Sequence, residues 1–183
     1  MKLYIGCGPS PIHPQHLEIL GDTTEWTFID LYINEPHIKN WDGKTLDEVE
    51  SNTVDEIYSS HTLEHFEHGV LQSVLSTWND KLKAGGKLTI NVPDLMWSLK
   101  RINKLEQGAF FNDYFYTYAG EHGILSVLYG SQSHEGEYHK SGFTRVFLQK
   151  LLEDAGYVDI EIEQIEDAHD MGVLIAVCRK SAS

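Results

Sequence analysis

Two glycines, Gly6 and Gly8, flank Cys7 at the end of a short run of strand formers, Leu3-Tyr-Ile5, and Pro9 prevents the strand from continuing. A turn of this kind brings backbone close to a ligand, where a side chain would collide or forbid a positive φ. Downstream, the apolar run Trp26-Thr-Phe-Ile closes on a single carboxylate, Asp30. In nucleotide sites built on two neighbouring strands, an acid so placed receives the ribose hydroxyls. Together the glycine turn and Asp30 imply a cofactor that contains adenosine. A dinucleotide fingerprint would need a further Gly or Ala on the following helix, so that a pyrophosphate could reach the helix N-terminus. Pro11 stands at that position, and no Walker lysine motif is present. The turn fits an adenosine cofactor without phosphates better than it fits NAD.

A second group of reactive side chains is concentrated in Ser60-His-Thr-Leu-Glu-His65, with His134 and His139 farther along. Glu64 and His65 are suited to cap the start of a helix and fix its loop. His134, His139, Glu135 and Glu137 have the right chemistry for a metal. They lie on a Gly-rich loop, however, without cysteine and without the His spacing of a helical site, so the sequence assigns no metal. The stretch from Tyr129 to Thr144 reads instead as a lid or substrate wall, with His134, His139 and Lys140 facing the substrate.

These residues need a frame. The chain has 183 residues, enough for one domain with one full-sized core, and no linker or internal repeat divides it. Strands are expected at Leu3 to Ile5, Trp26 to Leu31, Ile38 to Asp42, Val54 to Ser60, Lys87 to Val92, Val158 to Ile165 and Val173 to Arg179. Helices are expected from Pro11 to Leu20, around Leu46 to Glu50, from Leu63 to Leu82, from Asp94 through Leu105, and from a Thr144 N-cap to Ala155. The helix from Leu63 should stop at Lys83-Ala-Gly-Gly86. Strands alternating with helices imply a doubly wound α/β sheet of seven strands, mostly parallel, with one antiparallel edge strand. The segment from about 94 to 140 departs from this rhythm and reads as a substrate-facing insertion. Its aromatic run, Phe110 to Tyr118, suits either helix core or the wall of an acceptor pocket.

Composition narrows the partners. A net charge of −14 argues against a nucleic-acid backbone, which needs clustered Lys and Arg. No apolar run is long enough to cross a bilayer, and the start lacks a signal-peptide pattern. Cys7 and Cys178 are far apart and each lies in or beside an apolar run, which reads as two buried, reduced thiols and a cytoplasmic protein. The sequence leaves oligomeric state open.

Several pieces, in order, give the chain a family resemblance: Leu3-Tyr-Ile-Gly-Cys-Gly8, Phe28-Ile-Asp30, Val54 to Phe66, Leu82-Lys-Ala-Gly-Gly-Lys-Leu88 and Leu151-Leu-Glu-Asp-Ala-Gly-Tyr157. With them the sequence resembles the class I S-adenosylmethionine-dependent methyltransferases, and a small predicted methyltransferase group within them. The resemblance implies a Rossmann-like methyltransferase fold, with S-adenosylmethionine as methyl donor and S-adenosylhomocysteine as product. Gly6, Cys7 and Gly8 would pass under the methionine part. Asp30 would hold both ribose hydroxyls, with Leu31 against the adenine face. Asp42 would take the adenine amino group with the Gly43 amide beside it, although Trp41-Asp-Gly is also an ordinary turn. Ser60 and His61 would border the methyl-transfer centre. Tyr4 stands where many relatives carry an acid, and Ser10 occupies a frequent glycine position.

On this resemblance the expected activity is methyl transfer to an oxygen or nitrogen of a small acceptor, a glycan or another metabolite. His61 is the first candidate for a general base, because an imidazole titrates near neutrality; His134 and His139 are the others. Alignment and desolvation carry most of such a reaction, so a base contributes little. Two other classes fit the same sheet: a NAD-dependent oxidoreductase and a non-catalytic cofactor-binding protein.

Overall fold

The computed structural model of the protein describes residues 1–9, 18–106, 124–166 and 172–182. Its strands are β1 (Lys2–Ile5), β2 (Trp26–Ile29), β3 (Ile38–Lys39), β4 (Val54–Ser60), β5 (Leu82–Pro93), β6 (Tyr157–Glu166) and β7 (Gly172–Lys180). They form one seven-stranded sheet in the order β3-β2-β1-β4-β5-β7-β6. The first five strands are parallel. β7 runs against both of its neighbours, so the antiparallel pairing falls at the β6 edge, as expected from the short polar connection. Strand order reverses between β1 and β4, and in open α/β sheets the crevice beyond the strand ends at such a point takes the ligand.

Register decides what meets there. Ile5 lies opposite Ile29 on β2 and opposite Ser59 on β4. The next residue on each strand is therefore Gly6, Asp30 and Ser60, three neighbours at one end of the sheet.

The α-helices α1 (Leu71–Lys81), α2 (Leu95–Glu106), α3 (Ile124–Tyr129) and α4 (Arg145–Asp154) accompany the sheet, and residues 18–20, at the end of the expected first helix, are helical as well. α1 buries Leu71, Val74, Leu75 and Trp78, one stripe at helical spacing, in the main core with Ile57, Leu88 and Leu152. Trp78 also donates its indole N–H to the Gly43 carbonyl at 2.7 Å, tying core to strand-end loop. At α4 the Thr144 hydroxyl accepts from the Phe147 amide at 3.2 Å, the expected cap, and Gly156 follows the helix with φ +84°.

The structure differs from the sequence reading in four places. β3 is only two residues long. Residues 46–50 form turns rather than a helix. The helical stripe from Leu63 begins as two 3-10 turns, Leu63–His65 and His68–Val70, and becomes α-helix only at Leu71. Lys83-Ala-Gly-Gly86 does not cap α1; it belongs to β5, where Leu82 pairs with Val54 and Lys87 with Glu56 across a bulge. Gly85, at φ +74°, makes that bulge possible. Ser10, Pro11, the aromatic run Phe110 to Tyr118 and most of the loop after Glu166 lie outside the described residues.

Candidate functional site

Beyond the tips of β1, β2 and β4 opens a cavity of about 730 Å³, within the range that binds small molecules. Gly6, Cys7, Gly8, Asp30, Leu31, Asp42, Gly43, Ser60 and His61, the residues named from sequence for the donor, all line it. Gly6 and Gly8 have φ +68° and +63°. Gly8 is open: nothing lies within 4 Å of where a Cβ would sit. Gly6 is closed by the protein itself, because a Cβ there would drive into the Thr62 side chain. The need for glycine at position 6 thus comes from Thr62 as well as from φ, whereas at Gly8 backbone faces the hollow. Gly43 is equally confined, a Cβ falling 2.6 Å from Ile5 Cγ2.

Asp30 turns toward the glycine bend. Its Oδ2 accepts the Gly8 amide at 3.0 Å and its Oδ1 the Tyr32 amide at 2.9 Å. A carboxylate offers about four acceptor positions, so the side chain retains capacity for hydroxyl donors. Asp42 accepts the Lys44 amide at 2.8 Å and closes the turn, the ordinary alternative, while still facing the cavity. Burial pushes the Cys7 thiol up to about 12, and the nearby Asp30 charge adds to it, so the thiol stays neutral.

At the other side of the cavity the β4 tip carries three ionisable groups, His61, Glu64 and His65, and His139 comes in against them. His61 has φ +49°, a strained value for a residue with a side chain, and its amide is held by the Asn91 carbonyl at 3.0 Å. Its Nδ1 lies 3.3 Å from Glu64 Oε1. Glu64 is 1% exposed, and neither carboxylate oxygen has a well-aligned hydrogen-bond donor. The contact with His61 is therefore an electrostatic pairing. Burial alone would raise the Glu64 carboxyl, but His61, with the charges of His65 and His139, outweighs it and holds the group below the usual range. His139 Nε2 stands 4.0 Å from the same Glu64 oxygen, and the His65 and His139 rings meet edge to face at 4.8 Å. Burial lowers His139, favouring neutral imidazole.

Glu64 and His65 make no side-chain cap in their turn. They do fix the loop. The Glu64 carbonyl accepts the Lys140 and Ser141 amides at 2.8 and 3.0 Å, and Ser141 Oγ donates to the Phe66 carbonyl at 2.7 Å. His134 lies elsewhere: its Nδ1 accepts the Gly136 amide, and its ring sits 5.8 Å from Tyr32, just past Asp30. The segment 130–142 therefore spans the cavity from the β2 side to the β4 side. His139, not His134, joins His61.

A family model described as a methyltransferase domain matches residues 3–162. The chain belongs to the methyltransferase-domain family. No curated protein matches this methyltransferase. Among solved structures it is similar to the 1,6-didemethyltoxoflavin N1-methyltransferase of Burkholderia thailandensis with bound 1,6-didemethyltoxoflavin and S-adenosylhomocysteine, at 15% identity and TM-score 0.64, covering 98% of this chain and 70% of that one. It is also similar to S-adenosylmethionine-dependent methyltransferases of Archaeoglobus fulgidus (17%, TM-score 0.63, 98% and 85%) and Methanosarcina mazei (16%, TM-score 0.64, 100% and 92%). The protein is a class I enzyme that uses S-adenosylmethionine as methyl donor. The residues present fit that cofactor. Gly8 exposes bare backbone to the hollow, Asp30 has acceptor capacity beside it, and the two lysines in the lining, Lys44 and Lys140, are both paired with Glu67.

Sequence reasoning missed several residues that shape the cavity's surroundings. Thr62 Oγ1 lies 3.1 Å from the Ile5 and Ser60 carbonyls and clamps the β1 and β4 tips together under Gly6. Asn40 donates from Nδ2 to the Leu31 carbonyl at 2.5 Å, shaping the β2 exit. Asn91, buried on β5, donates to Tyr58 Oη at 3.0 Å behind Ser60. Thr62 lies inside the quoted Ser60 to His65 stretch and was legible by position; the two asparagines carry no local signal. Tyr4 is buried against Tyr58 and Phe28 while lining the cavity.

Proposed function

We propose that this methyltransferase transfers the methyl group of S-adenosylmethionine to a small-molecule acceptor held between the β4 tip and residues 130–142. One observation carries the reading: the β1 register aligns the Gly6–Gly8 turn, Asp30 and Ser60–His61 around a single cavity. Bound there, the cofactor supplies an electrophilic methyl carbon on a sulfonium. The backbone of Gly6, Cys7 and Gly8 holds the methionine part. Asp30 accepts from the ribose hydroxyls through charge-assisted bonds, and Leu31 covers the adenine face. Asp42 and the Gly43 amide meet the adenine edge. Ser60 and His61 border the reacting centre.

The acceptor attacks the methyl carbon in line and its proton leaves to His61 or to water. Of the histidines named from sequence, His61 and His139 suit this step better than His134, which sits by Tyr32. The acceptor is an oxygen or nitrogen nucleophile, with glycans and small metabolites favoured over nucleic acid, in keeping with the charge of −14. We read the chain as one domain whose 94–140 segment selects the acceptor. Its two free, buried cysteines suit a cytoplasmic setting; among the described residues no helix is long and apolar enough to cross a membrane.

Calorimetry with S-adenosylhomocysteine tests the site. Asp30→Ala should weaken binding at least about tenfold, the loss of one or more charge-assisted bonds. Unchanged affinity in that variant refutes the assignment. A thermal shift with NADH and none with the methyl donor would favour a dehydrogenase instead.

A further inference from the structure

Glu64, His65 and His139 each bring one ligand atom to within 4.8 Å of the others, although they come from two distant stretches of the chain. Such a gathering needs a cause. The Glu64 carboxylate is 1% exposed; His61 and His139 approach only its Oε1, at 3.3 and 4.0 Å, and Oε2 has no partner among the described residues, whereas buried charges are ordinarily fully paired or metal-bound. The two histidines are also held in a particular way. His139 Nδ1 lies 2.8 Å from the Val127 carbonyl and His65 Nδ1 lies 3.2 Å from the Tyr138 carbonyl. A carbonyl only accepts, so each Nδ1 carries a proton, which leaves Nε2 as the nitrogen free to ligate. Metal-ligating histidines are oriented by this same kind of bond from the other ring nitrogen to a backbone carbonyl. His139 points that Nε2 at Glu64 Oε1, 4.0 Å away. Ligand atoms around a tetrahedral zinc ion lie about 3.3 Å apart, so modest contraction would close the set.

We infer that Glu64, His65 and His139 form a divalent metal site on the wall of the methyl-transfer cavity, taking a borderline first-row cation such as Zn²⁺. Two imidazoles and one carboxylate select that class over calcium, and three protein ligands leave coordination positions open. His65 and His139 line the same cavity as Ser60 and His61, with Glu64 buried behind them, so the site adjoins the space assigned to the acceptor. His61 packs on the Glu64 carboxylate and orients it. This part rests on the methyl-transfer reading: a cation there would bind an acceptor hydroxyl oxygen, whose proton would leave to solvent. That oxygen forms the new bond to the methyl carbon as the carbon–sulfur bond breaks and its electron pair returns to sulfur. Oxygen acceptors are thereby favoured over amines.

Calorimetric titration of Zn²⁺ into untagged, chelator-stripped full-length protein tests the site, with S-adenosylhomocysteine binding measured alongside. The wild type should take up about one equivalent with about micromolar affinity or better. Glu64→Gln and His139→Ala should each weaken it at least about tenfold to a hundredfold while still binding S-adenosylhomocysteine, and His37→Ala, at an exposed position, should not change it. Wild-type protein that takes up no Zn²⁺, or variants that bind it as tightly as wild type, overturn the site. Should the two variants fail to fold, His65→Gln decides in the same sense, since its ring is only half-buried. A wild type that binds Zn²⁺ but not S-adenosylhomocysteine keeps the metal site and removes the methyl-transfer reading.

Discussion

Gly6 and Gly8 share a conformation and differ in what surrounds them, which gives them separable behaviour. Gly6→Ala meets both an unfavourable φ and the Thr62 side chain, and should destabilise the fold by about 2–4 kcal/mol in urea titration. Gly8→Ala meets only the φ penalty, about 1–2 kcal/mol, but puts a methyl group into the cavity, so its larger effect should be on S-adenosylhomocysteine affinity. The requirement for glycine was legible from the strand-turn pattern. That one of the two serves a neighbouring threonine was not, because Thr62 reaches Gly6 only through sheet pairing. The cysteines make a pH prediction. Burial raises both Cys7 and Cys178 to about 12, Asp30 adding to the effect at Cys7. Holding these thiols neutral contributes stability below the unfolded thiol range, near 8.5, and that contribution is lost as pH rises toward 12. At pH 8 the native protein should resist iodoacetamide at both positions, and mass spectrometry should find both alkylated once it is unfolded.

Among the elements, the β4 tip decides the most. It contributes Ser60 and His61 to the cavity, Thr62 to the clamp on β1, and Glu64 with Phe66 to the anchoring of 140–141. Ser141→Ala removes the bond to the Phe66 carbonyl and should cost about 1 kcal/mol, read most directly as faster amide exchange across 131–141. The Lys140–Glu67 and Lys44–Glu67 pairs add less, since Glu67 is half-exposed and water screens the charges. Strand positions and the Thr144 cap were readable because period and capping chemistry are local. The helix from Leu63 was read too early: 3-10 turns keep apolar residues at similar spacing, so the stripe continues while the backbone winds differently. The β5 bulge was missed because Lys-Ala-Gly-Gly after a helix has the composition of a C-cap, and only pairing with β4 reveals a strand.

For the molecule as a whole, core and site are mechanically linked through Trp78. Its indole is fully buried beside Leu71 and Leu75, yet its N–H reaches the Gly43 carbonyl at the cavity rim. Trp78→Phe leaves that carbonyl without its donor and opens space in the core, and should destabilise the protein by at least about 2 kcal/mol. S-adenosylhomocysteine affinity should fall with it, whereas trimming Leu152, in the same core but away from Gly43, should lower stability alone. No reading of the sequence connected Trp78 to Gly43, since neither spacing nor composition pairs them. The way residues 138–141 are attached has a different consequence. They grip the β4 tip largely through peptide groups and a serine, while Ser131 to Glu135 are exposed, with Ser131, Ser133 and His134 at the cavity rim, and support none of the core. A library randomised at those rim positions should retune acceptor choice on an unchanged chassis, and directed evolution of this enzyme should start there.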